Sequence, residues 1–579
     1  MPPSCLAAAE RGERVTSGKA LVLGDDTRSF LATVRSLGRR GIVVHAAPAN
    51  FRSPALRSRY IAAVHDLPPW MGDGAEWLRA MEVLLGAERF DLVIPCNETT
   101  LLPLQRHRAQ LEPLARLAIP DDHEIAVLFD KHATRELARQ VGVPVAAGRL
   151  VRPDDTAATV LAELGAPVMV KPRRSYTLET LGSRGKARVV RDADALAKAL
   201  READPDETLL EQFFPGWGIG VSVLASKGRV LQAFEHHRVR ELAGASFYRI
   251  SAPLTPELAR ACEAIVAAVP YTGVAMFEFK RNESGGWILL EVNARPWGSM
   301  PLPLALGVDF PYRWYRLLTA GEETPAVEYR IGVYGRNLLP DLYASRAEAA
   351  VLRLGPLATA WFMAGRGAEL LRALTGREVH DVLVRDDPRP GLAELWEAGA
   401  GVWQRLARRL PGATARRRQW ARAEVARAMH DSAGRPRVLF VCQGNICRSP
   451  FAAALLRTRL GNNDAVSVRS AGTMPHPGRP TPAFGLQAAA AVGIDLANHR
   501  SVWLTREAAE AASLLVVFDE TNRGAVFDRY PDLTVPVIRL DELGQPGEIA
   551  DPVDGGPEEF QRCYQRIADG VAELARLLT

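Results

Sequence analysis

The most constraining stretch of this sequence runs from Arg437 to Leu460, where an apolar run, a short polar loop and an amphipathic segment follow one another directly. The run RVLFV predicts a buried strand, and AAALLRTRL predicts a helix with one apolar face. A loop that leaves a strand and enters a helix directs its backbone N–H groups inward at the helix N-terminus. The intervening segment, CQGNICRSP, is therefore predicted to bind an anion.

The side chains of this loop suit phosphoryl transfer. Cys442 stands at its start, where the N–H groups and a nearby guanidinium favour the thiolate. Arg448 offers a planar fork for two phosphate oxygens, and Ser449 can donate a hydrogen bond to the sulfur. Attack of sulfur on phosphorus also needs an acid for the leaving oxygen, for which Asp551 in the segment EIADPVDGG is the candidate. We expect a cysteinyl phosphate that water then hydrolyses.

This loop, followed in order by SAGT, GIDLANHRS, VVFDETN and Asp-Pro, resembles the phosphate loop of low-molecular-weight protein tyrosine phosphatases over residues 437–579. The resemblance implies that Cys442 is the nucleophile, Arg448 clamps the transition state and Asp551 is the general acid and base. The residues it implies as supports of the loop are Asn445, Ser470 and His499. It also implies that Cys447 can form a reversible disulfide with the nucleophile under oxidation. A phosphotyrosine protein or a small aryl phosphate is the implied partner.

Two positions depart from the pattern of the family. Members that favour aryl phosphates carry aromatic residues after the Asp-Pro and after SAGT, where this sequence has Val553-Asp554 and Met474-Pro475-His476. We therefore expect phosphatase activity without a strict preference for phosphotyrosine. An arsenate reductase of the same fold is the alternative, but its relay needs an extra cysteine pair, and the segment 493–512 contains none.

A second set of polar residues lies in the segment GVAMFEFKRNESGGWILLEVNARPWG, residues 273–298, which predicts two strands joined by a turn. Alternation places Glu278 on one face of the first strand and Glu291, Asn293 and Arg295 on one face of the second. The neighbouring positions are apolar, so these charges need a metal or a partner. Oxygen ligands without His or Cys suit Mg²⁺, with Mn²⁺ as the alternative. We expect the two glutamates and the asparagine to bind the metal and Arg295 to face phosphates.

Cationic residues and a hinge precede this segment. Lys131 begins a predicted helix, and Lys171 ends the predicted strand APVMVK. The segment TLLEQFF ends another strand at Glu211, Gln212 and Phe213, which could offer adenine a carboxylate, backbone edges and an apolar wall.

The order of these motifs resembles the ATP-grasp superfamily over about 115–310, and residues 20–112 look like its usual N-terminal α/β domain. The resemblance implies that Lys131 and Lys171 bind phosphates, that Glu211 binds the adenine amino group, and that the reaction activates a carboxylate as an acyl phosphate for attack by an amine. The implied small molecules are ATP, a carboxylate and an amine. Arg240 is expected to face the acyl phosphate or the acceptor carboxylate, with a solvated strand charge as the alternative. The segment PGWGIG lacks the acid that often holds the ribose.

These patterns predict a multidomain α/β chain. An N-terminal α/β domain is expected at 18–115, an ATP-grasp domain of two α+β subdomains at 116–325, and a mostly helical extension at 326–400. A basic linker at 401–436 precedes a doubly wound α/β phosphatase domain at 437–579 with a four-stranded parallel sheet. From Arg405 to Arg437 there are ten arginines and two acids, so contact with a membrane surface is an alternative to a solvated connector.

Composition narrows the classes further. Six scattered cysteines among 579 residues favour a reducing compartment, and the first residues lack the apolar region of a signal peptide, so we expect a cytoplasmic protein. A net charge of +5 is too small for a chain of this length to create a general positive field that attracts nucleic acid. Two alternatives stay open for the function: an ATP-grasp region that only senses nucleotide and regulates the phosphatase, or a phosphatase that regulates the ligase region or a partner kinase.

Overall fold

The computed structural model describes residues 18–181, 185, 187–242, 244–410, 412–431, 435–461 and 465–579, and every structural statement below concerns these residues. They form two compact units: the larger comprises the described residues up to 48, 54–67 and 78–395, and the smaller comprises 49–53, 68–77 and the described residues from 396 to 579. Parts of the predicted basic linker and of the segment that follows Lys171, residues 182–184 and 186, lie outside the described residues. No helix in the described ranges is both long enough and apolar enough to cross a bilayer.

The first part of the larger unit is a five-stranded parallel sheet in the order β3-β2-β1-β4-β5. Its strands are β1 (Lys19–Leu23), β2 (Val43–Ala47), β3 (Ile61–Val64), β4 (Leu92–Pro95) and β5 (Arg116–Leu117). Its helices are α1 (Ser29–Arg39), α2 (Ala75–Glu88), α3 (Glu98–Arg106) and α4 (Arg108–Leu111). The apolar strands β1, β2 and β4 are largely buried because helices cover the sheet, as the alternating pattern predicts, whereas the edge strand β3 is partly exposed.

The next part is a small α+β layer. Its helices are α5 (Asp122–Leu128), α6 (Lys131–Gln140), α7 (Ala157–Leu164) and α8 (Ala193–Glu202). Its strands are β6 (Gly148–Leu150), β7 (Val168–Pro172), β8 (Arg188–Val190) and β9 (Thr208–Gln212). The strands form an antiparallel sheet in the order β6-β9-β7-β8, and α7 and α8 pack their apolar faces on it.

A seven-stranded sheet in the order β14-β13-β10-β11-β12-β15-β16 completes the larger unit. Its strands are β10 (Trp217–Ser226), β11 (Arg229–Leu242), β12 (Ala245–Ala252), β13 (Gly273–Arg281), β14 (Trp287–Asn293), β15 (Tyr334–Arg336) and β16 (Glu378–His380). The helices of this part are α9 (Pro256–Ala268), α10 (Pro301–Ala305), α11 (Phe310–Ala320), α12 (Leu338–Val351), α13 (Pro356–Ala368) and α14 (Leu371–Leu374). The predicted helical extension thus also adds β15 and β16 to one side of the central sheet, with β16 at its edge.

The smaller unit is a doubly wound α/β layer with the predicted four-stranded parallel sheet, in the order β18-β17-β19-β20. Its strands are β17 (Arg437–Cys442), β18 (Ser467–Gly472), β19 (Leu514–Val517) and β20 (Val537–Arg539). Two helices precede the sheet, α15 (Arg389–Arg409), which begins before Trp396, and α16 (Ala413–Asp431). The helices after β17 are α17 (Arg448–Leu460), α18 (Ala483–Ala490), α19 (Arg506–Ala511), α20 (Glu520–Arg529) and α21 (Pro557–Leu578).

The segment predicted as a linker differs from that expectation. Its second half is helix α16, whose Ala421 and Val425 are fully buried in the core of the smaller unit. Their spacing of four residues places them on one face of the helix. Arg422 pairs with Glu573 of α21 at 2.7 Å, and the Arg418 guanidinium donates to the Gly544 carbonyl at 2.6 Å. These basic side chains are therefore used within the unit, which weakens the case for a membrane-binding linker.

Candidate active sites

The loop between β17 and α17 surrounds the sulfur of Cys442. The backbone N–H of Asn445 donates to Sγ at 3.2 Å, and the Ser449 hydroxyl lies 3.1 Å from Sγ. Asn445 adopts a left-handed backbone conformation with φ of 51°, which is rare for residues other than glycine. Cys442 is 2% exposed and Asn445 and Ser449 are fully buried, so the loop is a buried, polar cradle at a helix N-terminus.

Arg448 joins this cradle to two carboxylates. Its Nη1 donates to Asp519 Oδ2 at 2.5 Å and to the Ile549 carbonyl at 2.9 Å, and its Nη2 donates to Asp551 Oδ2 at 2.5 Å. The residue is 1% exposed. Burial alone would lower the pKa of Arg448, but Asp551 and Cys442 outweigh it and raise that pKa, so the guanidinium stays charged.

The expected supports of the loop are partly observed. Asn445 donates through Nδ2 to Ser449 Oγ at 2.8 Å and accepts the Val502 N–H at 2.7 Å. His499 Nε2 lies 2.7 Å from the Asn445 carbonyl. Burial lowers the pKa of His499, although the bond to this carbonyl opposes the shift. A neutral imidazole that donates through Nε2 fits these contacts.

Ser470 does not occupy the supporting position predicted for it. It lies opposite Phe440 in the β17–β18 pairing, and the contact with the loop comes from the next residue, whose carbonyl accepts the Ser449 hydroxyl at 3.3 Å. That residue is Ala471, and Gly472 after it packs directly on the loop. A Cβ added at Gly472 would lie 2.9 Å from the Gln443 carbonyl, so only glycine fits there.

Cys447 is buried beneath the loop and is 2% exposed. Burial raises the pKa of its thiol, and Asp551 and Cys442 raise it further, whereas Arg448 opposes them. Tyr564 donates to the Cys447 carbonyl at 3.2 Å. Cys447 is thus a buried, neutral thiol in the same core cluster as Cys442.

Sequence reasoning missed two residues of this site. Asp519, which holds Arg448, is also the N-cap of α20 and accepts the Asn522 N–H at 2.6 Å. The sequence feature that could have revealed Asp519 is its position as an acidic residue directly after the buried strand in VVFDETN. Arg479 donates to the Gly444 carbonyl at 3.0 Å, and no local pattern marks that contact. At the rim, Val553 is 43% exposed and Asp554 is exposed.

The structure brings together the three residues predicted to bind metal. Glu278 on β13 faces Glu291 on β14, and Asn293 donates through Nδ2 to Glu278 Oε1 at 3.1 Å. Burial raises the pKa of Glu278, Arg238 opposes the shift, and Glu291 adds to it. Two carboxylates and an amide oxygen form a hard oxygen donor set, so these side chains fit Mg²⁺.

Beside this hairpin lies a cavity of about 440 Å³, lined among others by Lys131, Ser175, Glu291 and Asn293. Lys131 donates to Ser175 Oγ at 2.8 Å. Arg295 donates through Nη2 to Asn293 Oδ1 at 2.9 Å and pairs with Glu98 Oε1 at 2.9 Å. The cavity therefore brings one predicted phosphate ligand and two predicted metal ligands to one surface.

Lys171 and Glu211 form a separate, buried group. Glu211 Oε1 accepts Arg135 Nη1 at 2.6 Å, and its other oxygen pairs with the Lys171 ammonium. Lys171 is not among the residues that line the cavity of about 440 Å³. Of the other hinge residues, Gln212 is exposed, and the Phe213 ring lies 5.1 Å from Lys280 Nζ.

Arg240 is placed away from the metal ligands. It forms ion pairs with Asp341 and Glu369, both at 2.8 Å, in a buried cluster, whereas it was expected to face the acyl phosphate or the acceptor carboxylate. The pairing of β11 with β12 shifts register at Arg238 and Arg240, which interrupts the alternation of faces. Arg238 is the residue that pairs with Glu278. The strand pattern could not reveal the bulge, so the neighbouring arginine was missed.

Two family models match this chain. The model described as low molecular weight phosphotyrosine protein phosphatase matches residues 437–579, and the model described as ATP-grasp in the biosynthetic pathway with Ter operon matches residues 204–335. Both predicted resemblances are confirmed by these matches, and with the observed topology they support an ATP-grasp fold in the larger unit.

Known relatives match the two regions separately. A probable low molecular weight protein-tyrosine-phosphatase, EpsP of Ralstonia nicotianae, is 39% identical over 134 residues, which are 23% of this chain and 90% of the relative. A protein-arginine-phosphatase of Geobacillus stearothermophilus is 35% identical over 143 residues, 24% of this chain and 94% of the relative. The chloroplastic biotin carboxylase of Arabidopsis thaliana is 28% identical over 195 residues, 30% of this chain and 35% of the relative.

Proposed function

The chain belongs, through residues 437–579, to the low molecular weight phosphotyrosine protein phosphatase family, and from that membership we propose that it hydrolyses phosphorylated protein side chains at Cys442. The observation that carries the proposal is the hydrogen-bonded sulfur: the Asn445 N–H donates to it, and the Ser449 hydroxyl lies 3.1 Å away. These contacts hold the sulfur at the centre of the anion-binding loop.

The proposed reaction has two steps. Cys442 Sγ attacks phosphorus, the bond between phosphorus and the leaving oxygen breaks, and Asp551 donates its proton to that oxygen. Asp551 then takes a proton from water, the water oxygen attacks phosphorus, and the S–P bond breaks to release phosphate and the thiolate. Arg448 binds two non-bridging oxygens in both steps, because its planar fork matches the geometry of the phosphoryl group.

Hydrolysis of p-nitrophenyl phosphate by the full chain tests this assignment. We expect Cys442→Ser to lower the rate at least about a thousandfold, because a serine hydroxyl is not ionised at neutral pH. Cys262→Ala is the matched control, since Cys262 is a buried cysteine of α9 in the larger unit. If Cys442→Ser hydrolysed p-nitrophenyl phosphate at the rate of the unchanged chain, the nucleophile would be another residue.

The rim favours a second candidate substrate within the same chemistry, phosphoarginine. Val553 and Asp554 occupy the positions where family members that favour aryl phosphates carry aromatic residues. The Asp554 carboxylate suits a cationic guanidinium leaving group. A relative named as a protein-arginine-phosphatase matches the whole module. Release of phosphate from peptides that carry phosphotyrosine or phosphoarginine distinguishes the two candidates. If kcat/KM is higher for phosphoarginine and Asp554→Ala lowers it, the second candidate is selected.

For the larger unit we propose an ATP-dependent carboxylate–amine ligase. The cavity that joins Lys131 to Glu291 and Asn293 supports this proposal. Glu278, Glu291 and Asn293 would hold Mg²⁺, which neutralises charge on the nucleotide phosphates when it is bound. Lys131 would bind a phosphate oxygen, and Arg295 would hold the anionic acyl phosphate formed when the carboxylate attacks the γ-phosphate of ATP and ADP leaves.

The nucleotide base has its candidate site at the end of β9. Gln212 and Phe213 lie there, and Glu211 with Lys171 forms the buried ion pair behind them. We propose that the Phe213 ring packs on adenine, while Glu211 and the hinge backbone hold its polar edge. In this arrangement Lys171 leaves its pair with Glu211 to reach a phosphate when ATP binds.

Capture of the acyl phosphate tests the ligase. With Mg²⁺, ATP and a pool of carboxylates, hydroxylamine displaces phosphate from an acyl phosphate and forms a hydroxamate that is detected by mass spectrometry. We expect hydroxamate with the unchanged chain and at least about a hundredfold less with Glu291→Ala. ATP binding without hydroxamate or ADP from any pool favours the alternative, in which the unit senses nucleotide and regulates the phosphatase.

A further inference from the structure

A cluster of two histidines and a carboxylate in the first parallel sheet is separate from both proposed sites. His45 lies in the middle of β2, His65 directly follows β3, and Glu88 ends α2. One ligand atom from each side chain lies within 4.8 Å of the other two. We propose that this cluster binds a divalent transition metal of the Zn²⁺ class.

The backbone holds the two imidazoles in register. The His65 N–H donates to the Ala46 carbonyl at 2.8 Å, which fixes the end of β3 beside β2. His45 Nδ1 and His65 Nε2 then lie 2.8 Å apart, and the two rings stack with their centres at 5.0 Å. Phe90 packs its ring against the edge of the His45 ring at 5.3 Å and limits its rotation.

This spacing is close to what a metal requires. With bonds of about 2.0–2.1 Å, two nitrogens of a tetrahedral Zn²⁺ site lie about 3.3 Å apart, so the two histidines need to separate by roughly 0.5 Å. In the metal-free form one of the facing nitrogens carries the proton of their hydrogen bond. On metal binding that ring moves this proton to its other nitrogen, so both facing nitrogens offer lone pairs and no net proton is released.

Glu88 supplies the third ligand. Its Oε2 lies 3.9 Å from His45 Nδ1, and its carboxylate is paired with the Lys19 ammonium, which also donates to the Glu88 carbonyl at 3.0 Å. A carboxylate has four lone-pair sites, so it can accept from Lys19 and still ligate a metal. His65 and Glu88 are half-exposed, which gives the metal a path from solvent and leaves the fourth position to water.

The donor set distinguishes this cluster from the Mg²⁺ ligands. Imidazole nitrogens bind Zn²⁺, Co²⁺ and Ni²⁺, whereas the carboxylate and amide oxygens at Glu278, Glu291 and Asn293 suit Mg²⁺. Because β2, the end of β3 and the end of α2 each give one ligand, a bound metal would tie three consecutive elements of the sheet together.

Equilibrium dialysis of the full chain against micromolar Zn²⁺, with millimolar Mg²⁺ present to fill oxygen sites, tests the proposal. The unchanged chain should bind one more Zn²⁺ per chain than His65→Ala, and Co²⁺ should give a tetrahedral absorption spectrum that His65→Ala lacks. His123→Ala is the control, because His123 is an exposed histidine of α5. Zn²⁺ held by thiols elsewhere cancels in the comparison.

Glu88→Gln is a second variant that keeps the test valid if His65→Ala does not fold. It keeps the size of the side chain and removes only its charge. It should raise the Kd for Zn²⁺ at least tenfold. Equal Zn²⁺ stoichiometry in the unchanged chain and folded His65→Ala would overturn the proposal. If His65→Ala fails to fold, an unchanged Kd for Zn²⁺ in Glu88→Gln would overturn the proposal.

Discussion

Arg448 Nη2 donates to Asp551 Oδ2 at 2.5 Å, which joins the cation of the phosphate loop to the carboxylate that follows β20 in the chain. The arginine is 1% exposed and Asp551 lies at the surface. A phosphate that enters the loop would compete for the same guanidinium. Substrate binding would then release the Asp551 carboxyl group from Arg448.

This relationship predicts how loss of the acid depends on the leaving group. Asp551→Asn keeps the shape of the side chain but cannot donate a carboxylic proton. We expect kcat to fall about 10²–10⁴-fold for phosphotyrosine and much less for p-nitrophenyl phosphate, whose phenolate leaves without protonation. Steady-state kinetics with both substrates measure the difference. Equal losses for both would assign the proton transfer to another group.

The close packing of Gly472 on the loop predicts a loss of activity from a single methyl group. A Cβ at this position would lie 2.9 Å from the Gln443 carbonyl and 3.0 Å from the Asn445 nitrogen, so Gly472→Ala must displace the cradle. We expect kcat/KM to fall at least about tenfold while the unit stays folded. Gly524→Ala is the control, because a Cβ at Gly524 meets nothing within 4 Å. Equal kinetics for the two variants would contradict the prediction.

His499 predicts a pH dependence of stability. Its pKa lies below the ordinary value of 6.5, chiefly through burial. Above pH of about 6.5 the imidazole is neutral in both states, and the stabilisation is fully present. As the pH falls through 6.5 towards the folded pKa, the unfolded chain binds a proton that the folded chain does not, so the free energy of unfolding decreases.

Thermal unfolding between pH 7.5 and 5.5 measures this effect. His499→Gln should lose less stability on acidification than the unchanged chain, because it has no imidazole to protonate. His430→Gln is the control, since the His430 side chain is 90% exposed. The same pH dependence in His499→Gln and the unchanged chain would show that the imidazole is not held neutral.

A buried ion pair in the central sheet predicts a large loss of stability. Arg249 and Asp381 form two hydrogen bonds, at 3.0 and 2.6 Å, and both side chains are fully buried. Arg249→Ala leaves Asp381 as an unpaired buried charge, which costs about 3–5 kcal/mol. Hydrogen exchange of β12 and β16 should increase accordingly. Arg188→Ala, which breaks an ion pair with side chains about half exposed, should change protection by less than about 1 kcal/mol.

The parts of the fold and sites that local patterns determine could be predicted from the sequence. Cys442, Asn445, Arg448 and Ser449 lie within one strand–loop–helix unit, so their spacing alone brings them together. The hairpin that holds Glu278 and the other expected metal ligands follows from the alternation of two adjacent strands. In both cases the chemistry depends on short-range geometry.

Contacts that depend on register or on distant packing could not be predicted. The irregular pairing of β11 with β12 separates Arg238, which pairs with Glu278, from Arg240, which pairs with Asp341. Helix α16 was assigned to a linker because its arginines hid a short apolar face, which only the core of the smaller unit explains. The proximity of His45 and Glu88 arises from parallel-sheet topology, and no motif in the sequence marks it.

If one chain carries two independent catalysts, paired assays on one preparation separate the two activities. Hydrolysis of p-nitrophenyl phosphate and carboxylate-dependent ADP release are measured for the unchanged chain, Cys442→Ser and Glu291→Ala. We expect Cys442→Ser to lose only hydrolysis and Glu291→Ala to lose only ADP release. Full hydrolysis by Cys442→Ser, or ADP release by Glu291→Ala at the rate of the unchanged chain, would contradict this expectation.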